Sequence, residues 1–452
     1  MESYDVAVIG MGPGGEHVAG TLAESGLRVL GIDNGLVGGE CPYWGCIPSK
    51  MMIRAANALA EARRVPQLAG SVSEIQPDWA SVARRIREEA TDNWDDRVAV
   101  ERFVGKGGTF VRGKGRLTGP GEVEVDGVPY ALTRGVVVAT GTRPAIPPIA
   151  GLDQVPFWTN HEAVQTKELP ASMIDLGGGA IGCELAQVFA RFGVQVSVVE
   201  AADHLLPMEE PEAGQLLQEV FEAEGMHIHV GVTASRVDSD GEGVAVQLDG
   251  GTVIRAERLL VATGRRADPA AAGLETVRVD PSARTAPIDE RCRVADGVWA
   301  VGDITGMGAF THVAMYQAGI VIRDILGEDG PPADYRALPR VTFSDPEVGS
   351  VGLTEKQARE QLPSVSVGST SVPSTARGWI HKAGNEGLIK LVADTDRGVL
   401  VGATAMGPAG GEVLGALTVA VHAQVPLDTL RSMIYAYPTF HRGIEDALRA
   451  LS

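Results

Sequence analysis

An α/β fold of parallel sheets is what the sequence predicts, on three observations. A strand, a glycine-rich loop, a helix and a second strand ending on an acid follow one another near the start of the chain. The same series returns about 170 residues later with an identical offset from first glycine to acid. Each copy is closed by an apolar strand that stops at Ala-Thr-Gly.

In the first copy, Asp5 to Ile9 is a short apolar run, followed by the loop Gly10-Met11-Gly12-Pro13-Gly14-Gly15. A helix pattern runs from Glu16 to Ser25, and a strand from Leu27 to Ile32 ends at Asp33, 23 positions after Gly10. Gly10 permits the tight turn, Gly12 lets the backbone approach a pyrophosphate, and Gly15 lets the helix pack closely on the strand. Pro13 and Gly14 complete the candidate cradle, and Asp33 can accept hydrogen bonds from a ribose hydroxyl. The unit is therefore Rossmann-like.

In the second copy, the strand Met173 to Leu176 leads into Gly177-Gly178-Gly179-Ala180-Ile181-Gly182, with Gly177, Gly179, Ile181 and Gly182 as the candidate contacts. A helix covers Glu184 to Phe192, and a strand from Val194 to Val199 closes on Glu200, again 23 positions on. Two such units imply two nucleotide cofactors, or one cofactor and one nucleotide substrate. Glu200 would repel a ribose 2′-phosphate, and residues 201–207 contain no arginine or lysine to bind one, so NADH is expected over NADPH. The closing segments end in Ala139-Thr140-Gly141 and Ala262-Thr263-Gly264. A plain core strand with a glycine stop explains those residues equally well.

Length and charge set the outer bounds. At about 150 residues per domain, 452 residues suggest three domains. A net charge of −19 disfavours nucleic acid and anionic membrane surfaces as partners. No apolar run approaches the roughly 18 residues of a membrane helix. The start Met1-Glu2-Ser3-Tyr4 lacks the basic region of a signal peptide, so a cytoplasmic protein is expected.

Four cysteines are too few for a disulfide scaffold, but Cys41 and Cys46 form a close pair within Gly38-Gly39-Glu40-Cys41-Pro42-Tyr43-Trp44-Gly45-Cys46-Ile47-Pro48-Ser49-Lys50. In a regular helix a spacing of five separates the Cα atoms by roughly 8–9 Å, beyond the ~6.8 Å that a disulfide tolerates. The pair can bridge only if the helical turn is distorted, and Pro42 and Gly45 supply the means. Three readings stand: a zinc site, for which no second pair at ligand spacing exists; two inert buried thiols; and a redox dithiol. No metal is expected.

This run, the two glycine loops and both Ala-Thr-Gly segments resemble the pyridine nucleotide–disulfide oxidoreductases, the family of dihydrolipoamide dehydrogenase, glutathione reductase and mercuric reductase. Further matches are Val298-Trp299-Ala300-Val301-Gly302-Asp303 and Ser344-Asp345-Pro346-Glu347-Val348-Gly349-Ser350-Val351-Gly352-Leu353-Thr354-Glu355. The resemblance covers essentially the whole chain. It implies two Rossmann-like domains plus a C-terminal α+β dimerisation domain, with FAD in the first unit and NAD(P)H in the second. It also implies a homodimer whose active site is shared between subunits. By that resemblance Cys41 is the interchange thiol, Cys46 the flavin-contacting thiolate, Lys50 the lysine at the flavin edge and Glu184 its ion-pair partner. Gly302 and Asp303 would hold the FAD ribityl chain, and His312 and Ala314 lie in a segment that borders the flavin. A solvated Lys50 and an ordinary turn acid at Asp303 are the bland alternatives.

Residues 1–148 are expected to form the FAD unit, 149–271 the NAD(P)H unit, 272–335 a segment completing the FAD site, and 336–452 the interface domain. Within the first, residues 48–103 read as helical, and the run Glu412 to Ala423 in the last is apolar on most sides.

The chain departs from the family at its end. Where relatives carry His-Pro-Thr-x-x-Glu, it reads Tyr437-Pro438-Thr439-Phe440-His441-Arg442. A phenol, of ordinary pKa ~10, is a poor base at neutral pH compared with imidazole at ~6.5. His441 and Glu445 are four apart, as a relocated dyad or as a solvent-facing pair. Tyr43 and Trp44 either shape a substrate site or fill the core, and Ala180 stands where some relatives place an aromatic gate. The expected activity passes electrons from NADH through FAD to the Cys41–Cys46 disulfide and on to a small disulfide or dithiol, as dihydrolipoamide dehydrogenase does. The alternatives are a diaphorase reducing quinones or metal ions, as mercuric reductase does, or a flavin-loaded sensor with little turnover. Mercuric reductase also has a C-terminal cysteine pair, and here no cysteine follows Cys292.

Overall fold

The computed structural model describes residues 1–241 and 243–451. They form two compact units. The first comprises residues 1–48, 85–145 and 265–335; the second comprises 49–84, 146–264 and 336–452.

The first unit is built on an eight-stranded sheet. Its central strand Glu2–Ile9 runs parallel to Val29–Asp33 on one side and to Val128–Val138 on the other. Thr109–Arg112 extends the first side and Val298–Ala300 the second, both parallel. The chain thus builds outward in one direction and then returns to the other, which opens a crevice at the carboxyl end of Glu2–Ile9. The central strands are apolar on both faces because each face is covered, one by helices and the other by a strand pair and a short turn. Pro13–Glu24 packs with Thr311–Leu326 over one core, which includes Val18, Leu22, Val137 and Val321. The other face packs on Leu117, Val123 and Leu274.

The second unit repeats the plan in a four-stranded parallel sheet, ordered His227–Val230, Gln195–Glu200, Ser172–Leu176, Arg258–Val261. The order again reverses, this time at the strand Ser172–Leu176. The helix Ala180–Arg191 follows its glycine loop and is buried along most of its length. The C-terminal part of this unit is a five-stranded antiparallel sheet, with Glu347–Gly352, Val399–Gly407 and Leu388–Asp394 at its centre. The helix Gly410–His422 packs Leu414, Leu417 and Val421 on that sheet.

The region read as helical over 48–103 is several elements: Cys46–Leu68, Trp79–Arg85, a wide turn Ile86–Ala90 and Arg97–Gly105. No helix among the described residues is long and apolar enough to cross a membrane.

Candidate active site

The two glycine loops are structural twins. Gly10 and Gly177 both have positive φ, and a Cβ on either would meet a backbone oxygen, of Ala139 and Ala262 respectively, at 2.4 Å. A Cβ on Gly15 or Gly182 would lie 1.9 Å from the carbonyl oxygen of Gly10 or Gly177. Gly12 and Gly179, by contrast, have no atom within 4 Å of that position. Each loop is therefore closed toward the protein and open at the one glycine where a phosphate would approach. Pro13 opens the first loop helix, Gly14 packs against Ala314, and Ile181 lies at the start of the second helix.

The acids are twins as well. Asp33 accepts from the N–H groups of Met11 and Gly35 at 2.6 and 2.7 Å. Glu200 accepts from those of Gly178 and Ala202, both at 2.7 Å. Each ties its loop to the strand end where a ribose would lie. Burial pushes the Asp33 carboxyl above its ordinary value, against the two N–H bonds that lower it.

The cysteine segment is seated on the first loop. The Gly38 N–H donates to the Met11 carbonyl at 2.7 Å, and a Cβ on Gly39, whose φ is +67°, would meet Gly12 Cα at 2.8 Å. Cys41 lies in the single helical turn Glu40–Tyr43 and Cys46 opens the next helix, Cys46–Leu68. Trp44, at φ −138°, breaks the helix between them, and a Cβ on Gly45 would lie 3.2 Å from the Glu40 oxygen. This break replaces the regular five-residue separation, and it brings the two thiols to hydrogen-bonding reach of one another. The hydroxyl of Thr311, first residue of Thr311–Leu326, lies 3.4 Å from Cys46 Sγ and also bonds Cys41. The Cys46 neighbour and burial push the Cys41 thiol well up, and Thr311 opposes them. Tyr43 is buried and tilts against Trp44, so it fills the core.

Asp303 lies in the first unit near Ala139-Thr140-Gly141. It accepts from the Thr142 hydroxyl at 2.7 Å, and Arg265, next after Gly264, grips Thr142 through its hydroxyl and carbonyl at 2.8 and 2.7 Å. Burial pushes the Asp303 carboxyl up, and Thr142 and Arg265 draw it back. The N–H of Gly302 donates to buried Gln317 at 2.7 Å. A Cβ on Gly14 or Gly302 would lie 3.0 or 3.4 Å from the Cβ of Ala314, while His312 is exposed and stacks on Phe310.

In the second unit, Lys50 Nζ donates to Glu184 Oε2 at 2.8 Å, and Glu184 is almost wholly buried. Tyr437 is exposed, and Arg442 lies over its ring at 5.4 Å. Glu445 pairs with Arg442 at 3.0 Å and with Arg449, whereas the nearest polar partner of His441 is Thr439 at 3.5 Å. Glu445 is thus committed to arginines and does not orient His441.

Sequence reasoning passed over Thr311, Thr142, Arg265, Gln317 and Asp175. Thr311 and Arg265 adjoin motif residues and carried that signal. Asp175 carried none: it interrupts the apolar strand Ser172–Leu176, is fully buried, and neither carboxyl oxygen has a hydrogen-bond partner. Burial, then the Glu200 charge, pushes it well above the usual carboxylate range. The acids Glu210, Glu212 and Glu355 converge on the buried Lys390 ammonium at 2.8–2.9 Å, which accounts for the one cluster with metal-ligand spacing among the described residues.

Residues 4–318 match the family described as pyridine nucleotide-disulphide oxidoreductase, and residues 338–448 match the dimerisation domain of that family. The dihydrolipoyl dehydrogenase of Chlorobaculum tepidum is 33% identical over 98% of this chain and 96% of its own length. The mercuric reductase of Streptomyces lividans is 32% identical over 99% and 96%. Among solved structures, the HOCl-induced flavoprotein disulfide reductase RclA from Escherichia coli superposes with a TM-score of 0.85 at 26% identity, covering 99% of this chain and 100% of that one.

Proposed function

The chain belongs to the pyridine nucleotide–disulfide oxidoreductase family, and from that premise we propose that it uses NADH to reduce a small disulfide through Cys41 and Cys46. The family is one of FAD-containing, NAD(P)H-dependent flavoproteins, and the two loops, closed at their flanks and open at Gly12 and Gly179, fit two ADP-bearing groups. Bound FAD would supply the two-electron relay between the nicotinamide and the sulfurs.

The chain's own residues then do the exchange chemistry. Cys41, as thiolate, attacks one sulfur of the substrate disulfide; a mixed disulfide forms and the first thiolate leaves, taking a proton. Cys46 attacks the Cys41 sulfur, which restores the Cys41–Cys46 bond and expels the second thiolate, also to be protonated. Two electrons have passed from the dithiol to substrate. Tyr437 would donate a proton to a leaving thiolate. Lys50, paired with Glu184, would present its ammonium to the flavin edge. Asp33, Gly302, Asp303, His312 and Ala314 would hold FAD, and Glu200 would select NADH.

The observation that carries this reading is the adjacency of the two sulfurs under the Thr311 hydroxyl. Anaerobic NADH should produce a long-wavelength absorbance band that disappears in Cys46→Ser. Absence of the band in the unaltered protein would sink the relay. Reduction of lipoamide-type disulfides should be lost in Cys41→Ser.

A second reading, a diaphorase reducing quinones or metal ions, is favoured by the Tyr437–Arg442 pair standing where relatives have a histidine and a glutamate. Quinone turnover surviving in Cys41→Ser, with no disulfide turnover in the unaltered protein, would select it. We read residues 336–452 as the face of a cytoplasmic homodimer. Ile434, 96% exposed, and Val419, 64% exposed, leave apolar surface there for a second copy to cover.

A further inference from the structure

Lys50 has a partner besides Glu184. The ring of Phe343 lies 4.7 Å from its ammonium, and the backbone N–H of the same residue donates to Glu184 Oε1 at 2.9 Å. Phe343 therefore touches both members of the pair, ring to cation and amide to anion.

What fixes Phe343 lies two residues on. The N–H of Asp345 donates to Gln187 Oε1, and its carbonyl accepts from Gln187 Nε2, each at 2.8 Å. Its carboxylate accepts from Arg191 and from Arg64, also at 2.8 Å. Arg191 is held in turn by Glu224 and by Asn57 at 2.6 Å. Gln187 and Arg191 follow Glu184 by three and seven positions on Ala180–Arg191, so a single stripe of that helix grips residues 343–345 at three points. Ser344, Gln187 and Arg191 are nearly inaccessible. A stripe of leucine would bury more cheaply than these polar groups. What the polar stripe adds is geometry, because hydrogen bonds weaken steeply away from their preferred angles whereas apolar packing is non-directional.

We propose that Phe343 is a positioning residue for the Lys50–Glu184 pair, locked by Gln187 and Arg191 through Asp345, and that it fixes the direction in which the Lys50 ammonium points. A carboxylate on one side and an aromatic face on another leave the remaining N–H donors only one way to turn. The proposal rests on the reading of Lys50 given above, but its test does not use turnover.

In the flavin-bound protein, trace acetylation followed by mass spectrometry reports how available the Lys50 amine is, with exposed Lys167 as the internal reference. Phe343→Leu keeps the N–H and removes the ring, and should raise Lys50 labelling relative to Lys167 by about two- to fivefold, the worth of an exposed cation–π contact. Phe343→Tyr, which keeps the ring, should label as the unaltered protein does. Gln187→Met touches neither Lys50 nor Glu184 and should also raise Lys50 labelling. Unchanged labelling in Phe343→Leu, or a rise of the same size in Phe343→Tyr, would overturn the role of the ring. Unchanged labelling in Gln187→Met would overturn the role of the clamp. A missing NADH-induced band would defeat the electron relay and leave these labelling results standing.

Discussion

The Thr311 hydroxyl stands 3.4 Å from the sulfur of Cys46 and is also a hydrogen-bond partner of Cys41. One side chain, at the first turn of a 16-residue helix, thus touches both halves of the dithiol. Its hydroxyl favours the ionised form of Cys41, and so does the positive end of that helix.

Removing this hydroxyl should therefore push the Cys41 thiol further up. A hydrogen bond to a charged group is worth about 1.5 kcal/mol, which is about one pH unit. Iodoacetamide should alkylate the reduced Thr311→Val protein at Cys41 about tenfold more slowly than the unaltered one at a fixed pH below the midpoint. Equal rates would mean that Thr311 merely packs there.

Asp175 makes a prediction about stability and pH. An unfolded carboxyl titrates near about 3.9. The buried native one titrates well above that, so the native state binds the extra proton between the two values. Stability is then full below the unfolded value and falls as pH rises toward the native one. Asp175→Val removes both the orphaned carboxyl and the slope. It should be more stable by about 1–3 kcal/mol at neutral pH, and its advantage should be larger at pH 8 than at pH 5. Urea unfolding at the two pH values decides this, and an advantage independent of pH would mean that the folded carboxyl is ionised over this range just as the unfolded one is.

Glu200 predicts coenzyme choice. With its carboxylate at the ribose, as proposed, it would meet a 2′-phosphate with like charge and should disfavour NADPH by at least about tenfold in kcat/KM. Glu200→Ala should narrow the ratio, and better use of NADPH by the unaltered protein would contradict the assignment.

Tyr437→Phe would separate the proposed proton donor from the electron path. Disulfide turnover should fall by about 100-fold, the lower end for a lost acid–base group. The rate at which NADH bleaches the flavin should not change. Stopped-flow and steady-state rates on one preparation test both halves.

The local parts of this protein were legible in its sequence because they are properties of the backbone. Gly10, Gly15, Gly177 and Gly182 are needed where any Cβ would strike a carbonyl oxygen, and that requirement leaves the same spacing wherever it occurs. The acids at 33 and 200 follow from the same turn, and Gly45 lies beside the break at Trp44 between the cysteines, whereas Pro42 sits inside the preceding helical turn. Lys50 and Glu184 were paired by resemblance alone, since 134 positions separate them.

Tertiary structure decided which side chains meet. Thr311 reaches Cys46 across 265 positions, and the amide of Phe343 reaches Glu184 across 159 while its ring meets Lys50, and a hydroxyl or a ring bears no mark of its distant partner. Asp175 carries no signal in the sequence, and only packing leaves it buried without a donor. The physical reason is the same in each case: backbone geometry is set by neighbours along the chain, whereas the worth of a polar or aromatic contact depends on burial and direction, which exist only once the chain has folded.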